Sequence, residues 1–344
     1  MDKNRIRHGF IYKFSLYIIA CAVIVLLLVL IYDYRVSENA IIDNIKNNGG
    51  TLAAATLNEI NTYFNTAQQI PQDISNTLES CNFTQKEMMG LLKTAVENCE
   101  EIYGATIAFE PYMTGENKYF FGPHFYKPDG NVKYLDFGTE KYNYFTLDWY
   151  TGPKKMNKGV WSEPYFAEGK LMVTYSEPFY KNIDGKRTFC GVVTCDIDLR
   201  WLEKLLGDIK VFNTGYAFIL SSKGVFIGRK NNEADLGKGI FVVAESRGDD
   251  QRRELGKKMT SNRVGFDEYY SYSLGKKCFV SYAPLKETGW SIAVIIPQDE
   301  PFSDLYIITW NIFTIGAGGY LFILILIIMA ISGFLRVNFY IRKR

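Results

Sequence analysis

Apolar and polar positions divide the chain into three textures. Two long apolar runs stand near its ends: Phe14 to Tyr32 holds 19 residues without a charge, and Leu305 to Leu335 holds 31. A bilayer core of about 30 Å takes roughly 20 helical residues, so each run predicts a transmembrane helix. In the second, Trp310 is expected at the outer headgroups, with the span proper from Ile312 to Leu335. A cleavable signal peptide is the alternative for the first run, but its apolar part is about 7–15 residues long and ends at a small-residue site. Here the run closes on Ile31-Tyr32-Asp33-Tyr34-Arg35, so an uncleaved anchor is expected. Residues 33 to about 80 are polar and helix-prone. Ala53, Leu57, Ile60, Phe64 and Ala67 recur at steps of four and three, lining one helix face. That face either packs on its own domain or joins a second copy in a parallel dimer. Gly49-Gly50 and Pro71 are the expected weak points of this stalk.

Beyond a second helix, Thr84 to Glu101, the pattern turns to strands. Tyr103–Phe109, Tyr119–Tyr126, Leu171–Tyr180 and Thr188–Ile197 are short runs rich in aromatic and β-branched residues, separated by Gly, Pro, Asn and Asp. Asp198 to Leu206 reads as a short helix with Asp198 as N-cap. A second β unit follows from about Asn213, with Tyr216–Ser221, Gly224–Arg229, Tyr269–Leu274, Lys277–Pro284 and Trp290–Pro297. Charged helical residues interrupt it from about Lys238 to Thr260. Two antiparallel sheets, each with helices on one side, predict an α+β fold.

Composition and charge set this body in a compartment. With 344 residues, 47% apolar and 22% charged, the chain has room for two modest domains. A net charge of +2 excludes a strong global field for nucleic acid. Lys3, Arg5, Arg7 and Lys13 flank the first span; Arg336, Arg342, Lys343 and Arg344 flank the second. By the positive-inside rule both ends are cytoplasmic. The flanks carry +3 and +4 of the total of +2, leaving −5 for residues 33–304, an acidic body outside the cytoplasmic membrane. Five cysteines fall in this body, so at least one is unpaired within the chain. Cys190 and Cys195 fall on opposite strand faces. Cys81 with Cys99 could bridge, with free buried thiols as the alternative.

Motifs for catalysis are missing. The chain has no Walker-type G-x-x-x-x-G-K-[ST], no G-x-S-x-G and no H-E-x-x-H. The one histidine of the external region, His124, sits in an aromatic run and reads as a structural or solvent-facing imidazole. No metal, cofactor or enzymatic activity is expected. The aromatic content of 15% is concentrated between Tyr142 and Asp196. Trp149, Tyr150, Trp161, Tyr165 and Tyr175 supply stacking faces and directional donors. Asp196 follows the apolar stretch Gly191-Val192-Val193-Thr194-Cys195, where a carboxylate needs a cation or several donors. Two readings are open: a pocket for a small ammonium-bearing ligand, or a core aromatic cluster with Asp196 bonded to backbone amides.

A resemblance bears on that choice. Asp148-Trp149-Tyr150, Trp161-Ser162-Glu163-Pro164-Tyr165, Thr174-Tyr175-Ser176 and Gly191-Val192-Val193 with Asp196-Ile197 fall in order, followed by Gly215-Tyr216-Ala217-Phe218, Tyr282-Ala283-Pro284 and Thr288-Gly289-Trp290. Together they resemble the double-Cache extracytoplasmic sensor of bacterial chemoreceptors, sensor histidine kinases and membrane-bound serine/threonine phosphatases. The resemblance implies two PAS-like modules stacked along the long N-terminal helix, with ligand in the distal one. The expected organisation is a cytoplasmic start (1–13), first span (14–32), stalk (33–80), distal module (81–212), proximal module (213–304), second span (305–335) and cytoplasmic end (336–344). The last is expected to begin a linker to an output module. In amino-acid-binding members, residues matching Trp149, Tyr150, Tyr165 and Asp196 line the pocket, and the aspartate meets the ligand's amino group. Two positions depart: the arginine that holds a ligand carboxylate is Leu147 here, and a common aspartate is Ala167. Lys154 or Lys155 is the candidate replacement for that arginine. The expected function is a membrane-anchored sensor of a small solute, an amine or amino-acid-like molecule, acting as a homodimer on cytoplasmic kinase, phosphatase or chemotaxis machinery. The alternative is a co-receptor or scaffold whose Cache domain binds another protein.

Overall fold

The computed structural model describes residues 3–229 and 236–343, with side chains described for 17–228, 236–303, 305–329 and 332–333. Two compact units divide the chain, residues 48–297 and the terminal stretches 1–47 with 298–344. The basic flanks that orient the chain have side chains outside the described set, and Arg344 lies outside the described residues.

Helix α1 runs from Lys3 to Ser80, and the expected weak points do not break it. At Gly49 a Cβ would stand 3.1 Å from Ile296 Cδ1 and from Ser281 Cβ, so the glycine permits close packing there. Pro71 is buried within the helix, where tertiary contacts outweigh the lost hydrogen bond. Ala53, Leu57, Ile60, Phe64 and Ala67 are all buried, so this face packs on the chain's own domain. Phe64 is its hub: its ring meets Trp161 edge-on at 4.8 Å and Trp290 edge-on at 5.0 Å. Helix α2 (Gln85–Asn98) starts at a capping box formed by Thr84 and Glu87 and buries Met88, Leu92 and Val96.

The first sheet has seven antiparallel strands: β1 (Gly104–Phe109), β2 (Pro123–Tyr126), β3 (Lys133–Asp136), β4 (Val160–Trp161), β5 (Tyr165–Ala167), β6 (Lys170–Ile183) and β7 (Lys186–Asp198). Their order is β3-β2-β1-β7-β6-β4, with β5 also on β6. Strands β6 and β7 outrun the expected limits because Asp184-Gly185, at φ 52° and 78°, makes the tight two-residue hairpin turn that matches strand twist. Two elements escape the hydrophobic pattern. Strand β3 is an edge with all four residues exposed. Helix α3 (Asp148–Met156) carries the aromatic segment and buries Tyr150 and Pro153. Helix α4 (Arg200–Asp208) has Leu199, not Asp198, at its N-cap. Asp198 ends β7 and accepts the Arg200 amide at 3.0 Å from one position further upstream.

The second sheet has five antiparallel strands, β8 (Tyr216–Leu220), β9 (Phe226–Arg229), β10 (Gly265–Ser271), β11 (Lys276–Leu285) and β12 (Trp290–Pro297), in the order β10-β11-β12-β8-β9. Helices α5 (Ile240–Arg247) and α6 (Asp250–Thr260) supply Ile240, Val243, Leu255 and Met259 to a core shared with Phe218, Val280 and Ile295. Gly248 at φ 62° ends α5, and the Asp249 carboxylate caps α6. Helix α7 (Asp299–Lys343) follows β12 after one residue. Helices α1 and α7 each contain a stretch long and apolar enough to cross a membrane, with none of its residues buried in the protein. The architecture is the expected α+β class with a long N-terminal helix. The six cysteines carry free thiols, with Cys81 exposed and Cys99 half-buried.

Candidate functional site

Strand alternation builds the site. On one face of the first sheet His124, Thr106, Thr194 and Ser176 follow one another across β2, β1, β7 and β6. Two residues along each strand, Tyr126, Gly104, Asp196 and Thr174 form the next row. The alternate positions Ile107, Val193, Cys195 and Val173 turn to the opposite face and are fully buried. Every side chain of the two rows lines a cavity of about 890 Å3. Its walls are aromatic: Tyr142, Trp149, Trp161 and Tyr165. Ser222 and Lys223, in the turn between β8 and β9, reach it from the second sheet.

At the floor Asp196 is 9% exposed. Its Oδ1 accepts the Thr174 hydroxyl at 2.6 Å. Since Thr174 has one proton and gives it to Asp196, the Tyr165 hydroxyl donates to Thr174 Oγ1, 2.7 Å away; Tyr165 also stands 3.5 Å from Asp196 Oδ1. Burial pushes the Asp196 carboxyl up to about 6, against the pull of these hydroxyls. Among the described residues no cation pairs with it. His124 stacks on Phe137 at 4.4 Å and on Tyr126 at 5.2 Å, with Nδ1 2.8 Å from Thr106 Oγ1. Burial holds its imidazole down at about 4, so it is neutral at pH 7. The lining therefore sets four carboxylates, Asp148, Glu163, Glu168 and Asp196, against one lysine, Lys223. Such a surface attracts cations, and its aromatic walls add cation–π faces.

Of the six residues singled out from the sequence, Trp149, Trp161, Tyr165 and Asp196 line the cavity; Tyr150 and Tyr175 do not. Tyr150 is 1% exposed, packs in a core cluster with Tyr144 and donates to Glu110 Oε1 at 2.7 Å. Tyr175 falls between Thr174 and Ser176, so alternation turns it away; its hydroxyl donates to Glu177 at 2.5 Å and accepts from Gln72. Its ring packs behind Trp161 at 5.0 Å. Lys154 does not replace the absent arginine, being paired with Glu110 at 2.6 Å, and neither it nor Lys155 lines the cavity. Leu147 and Ala167, the two departures, do line it. Thr106, His124, Tyr142, Glu163, Thr174 and Lys223 also line the cavity, beyond the residues singled out from the sequence. The signal for the threonines was the polar residues at period two, Thr174/Ser176 and Thr194/Asp196, in otherwise apolar strands. Among the described residues no group of three or more His, Cys, Asp or Glu could hold a metal ion.

The fold is similar to that of PDC/Cache sensor domains, among them the extracellular domain of a histidine kinase and the periplasmic sensory domain of a chemoreceptor. Residues 88–204 match the model of the methyl-accepting chemotaxis protein-like first PDC sensor domain. Among individual proteins, the methyl-accepting chemotaxis protein TlpA of Bacillus subtilis (strain 168) is 29% identical over 163 residues, 46% of this chain and 21% of that receptor. The match thus spans about a fifth of the relative's length. The periplasmic sensory domain of the Campylobacter jejuni chemoreceptor Tlp1 has a TM-score of 0.60 at 15% identity, covering 76% of this chain and 98% of that domain. The ligand-binding domain of the Pseudomonas aeruginosa PAO1 amino acid chemoreceptor PctC, in complex with GABA, has a TM-score of 0.53 at 17% identity, covering 73% and 99%.

Proposed function

We propose that the chain is a membrane-anchored extracytoplasmic sensor that binds a small ammonium-bearing solute in the cavity of its first sheet. In this reading residues 33–304 lie outside the cytoplasmic membrane, both ends are cytoplasmic, and residues 81–212 form the distal, ligand-binding module. The observation that carries the reading is Asp196: a buried carboxylate on the floor of an 890 Å3 cavity, held by hydroxyls and paired with no cation among the described residues. An ammonium supplies that missing charge and up to three donors. The cavity is of the size that small-molecule sites occupy, which favours this reading over a co-receptor that binds only protein. The GABA complex of the similarly folded PctC domain supports an amine in such a pocket.

Signalling follows from connectivity. Strand β12 is the central strand of the second sheet, between β11 and β8, and is joined to α7 through Gln298. A ligand that favours one of two arrangements of the domain shifts β12 and hence α7, through its different affinity for the two. The partners in this reading are a second copy of the chain and cytoplasmic kinase, phosphatase or chemotaxis machinery. A thermal-shift panel of amines, amino acids, small carboxylates and nucleobases on the full chain in lipid nanodiscs tests the reading. Stabilisation by amines that Asp196→Ala abolishes is expected. Stabilisation only by carboxylates or nucleobases would overturn it.

A further inference from the structure

We infer that the cavity contains a second ammonium site at Glu163, and that its ligand class is a linear diamine. This rests on the amine reading above and sharpens it. Ser162 ties the Glu163 segment to the floor: its amide donates to the Thr174 carbonyl at 2.8 Å, and its Oγ accepts the Thr174 amide at 3.0 Å. Thr174 is in turn the ladder partner of Asp196. Glu163 therefore sits next to a residue about two strand spacings, roughly 10 Å, from Asp196. Its two oxygens differ. Oε1 accepts the Ser222 hydroxyl, whereas Oε2 is buried and has no hydrogen-bond partner among the described residues. A carboxylate oxygen shut off from water without a donor is costly, and an ammonium removes that cost.

The rest of the cavity fits a chain with a positive charge at each end. The Trp161 and Tyr165 rings line the same cavity as the two carboxylates and offer apolar faces to a methylene linker. Among the described lining residues no arginine is present to clamp a ligand carboxylate. Lys223 is the one lysine of the lining, but it is exposed and adjoins Ser222, which is bonded to Glu163. An anion drawn to Lys223 therefore meets the Glu163 carboxylate beside it.

Calorimetric titration of the full chain in nanodiscs with 1,4-diaminobutane, 1-aminobutane and 4-aminobutanoate tests this. One further charge-assisted contact predicts the diamine to bind about 10- to 100-fold tighter than the monoamine. Glu163→Gln, which keeps an acceptor for Ser222, should bring that ratio to about one. Asp196→Asn should weaken both amines. Equal affinity for the two amines in the unaltered chain, or a ratio that survives Glu163→Gln, overturns the second site and leaves the amine reading standing. Tightest binding of 4-aminobutanoate overturns it in favour of an anion contact at Lys223. If no amine binds, the amine reading fails and takes the second site with it.

Discussion

Amine binding in this cavity should track the ionisation of Asp196. Its carboxyl is held at about 6 by burial, with only Thr174 and Tyr165 hydroxyls pulling it down. The carboxylate attracts an ammonium and the protonated acid does not, while a simple alkylamine remains protonated to about pH 10. The carboxyl is about 99% ionised at pH 8, half at pH 6 and about 10% at pH 5. The affinity for 1-aminobutane should therefore fall about tenfold between pH 8 and 5, nearly all of it below pH 7. His124 faces the same cavity and, held at about 4, adds little charge across that range. At pH 6 binding should release about half a proton, because the ammonium drives the carboxyl down. Titration calorimetry on the full chain, in buffers of different ionisation enthalpy from pH 5 to 8, measures both quantities. Asp196→Asn should flatten the profile and abolish the proton release. A flat profile for the unaltered chain, or an equal fall in the Asn variant, refutes the assignment.

The same carboxylate should cost stability. Its folded pKa lies above its unfolded value, so its contribution is fully present below about pH 4 and lost as pH rises through about 6, a span of about 3 kcal/mol. Asp196→Asn should therefore raise the unfolding midpoint at pH 8 and leave it nearly unchanged at pH 4, read by differential scanning calorimetry. Phe64→Ala removes the ring between Trp161 and Trp290 and should cost about 3–5 kcal/mol; a loss below 1 kcal/mol in denaturant titration would show that α1 is not the spine of both sheets. Leu147→Arg places a guanidinium where Leu147 lines the cavity and should strengthen α-amino acids about 10- to 100-fold relative to alkylamines, measured by competition.

Long-period signals in the sequence were legible and short-range geometry was not. The apolar runs and the Ala53–Ala67 face marked α1 and α7, because a long apolar run or a buried helix face shows directly in composition and period. Trp290–Pro297, apolar but for Ser291 and Pro297, is β12 to the residue. Strand β3 was invisible because it is an exposed edge, and α3 because its Gly152 and Pro153 mimic a loop. At the site, residue type pointed to Asp196, Trp149, Trp161 and Tyr165. It could not separate them from Tyr150 and Tyr175, whose hydroxyls serve Glu110 and Glu177 instead. Alternation along β6 would have excluded Tyr175, since Thr174 and Ser176 share the face of Asp196. The entry of Ser222 and Lys223 depends on the packing of one sheet against the other, which no local pattern encodes.

The central claim is that a ligand's ammonium sits on Asp196. Its most direct test is titration of 1-aminobutane into the full chain and into Asp196→Asn at pH 8, alongside 1-butanol as the uncharged control. The account predicts saturable one-to-one binding of the amine that the Asn variant loses, with no binding of the alcohol. Amine binding of equal strength in both proteins, or alcohol binding as well as amine, would contradict it.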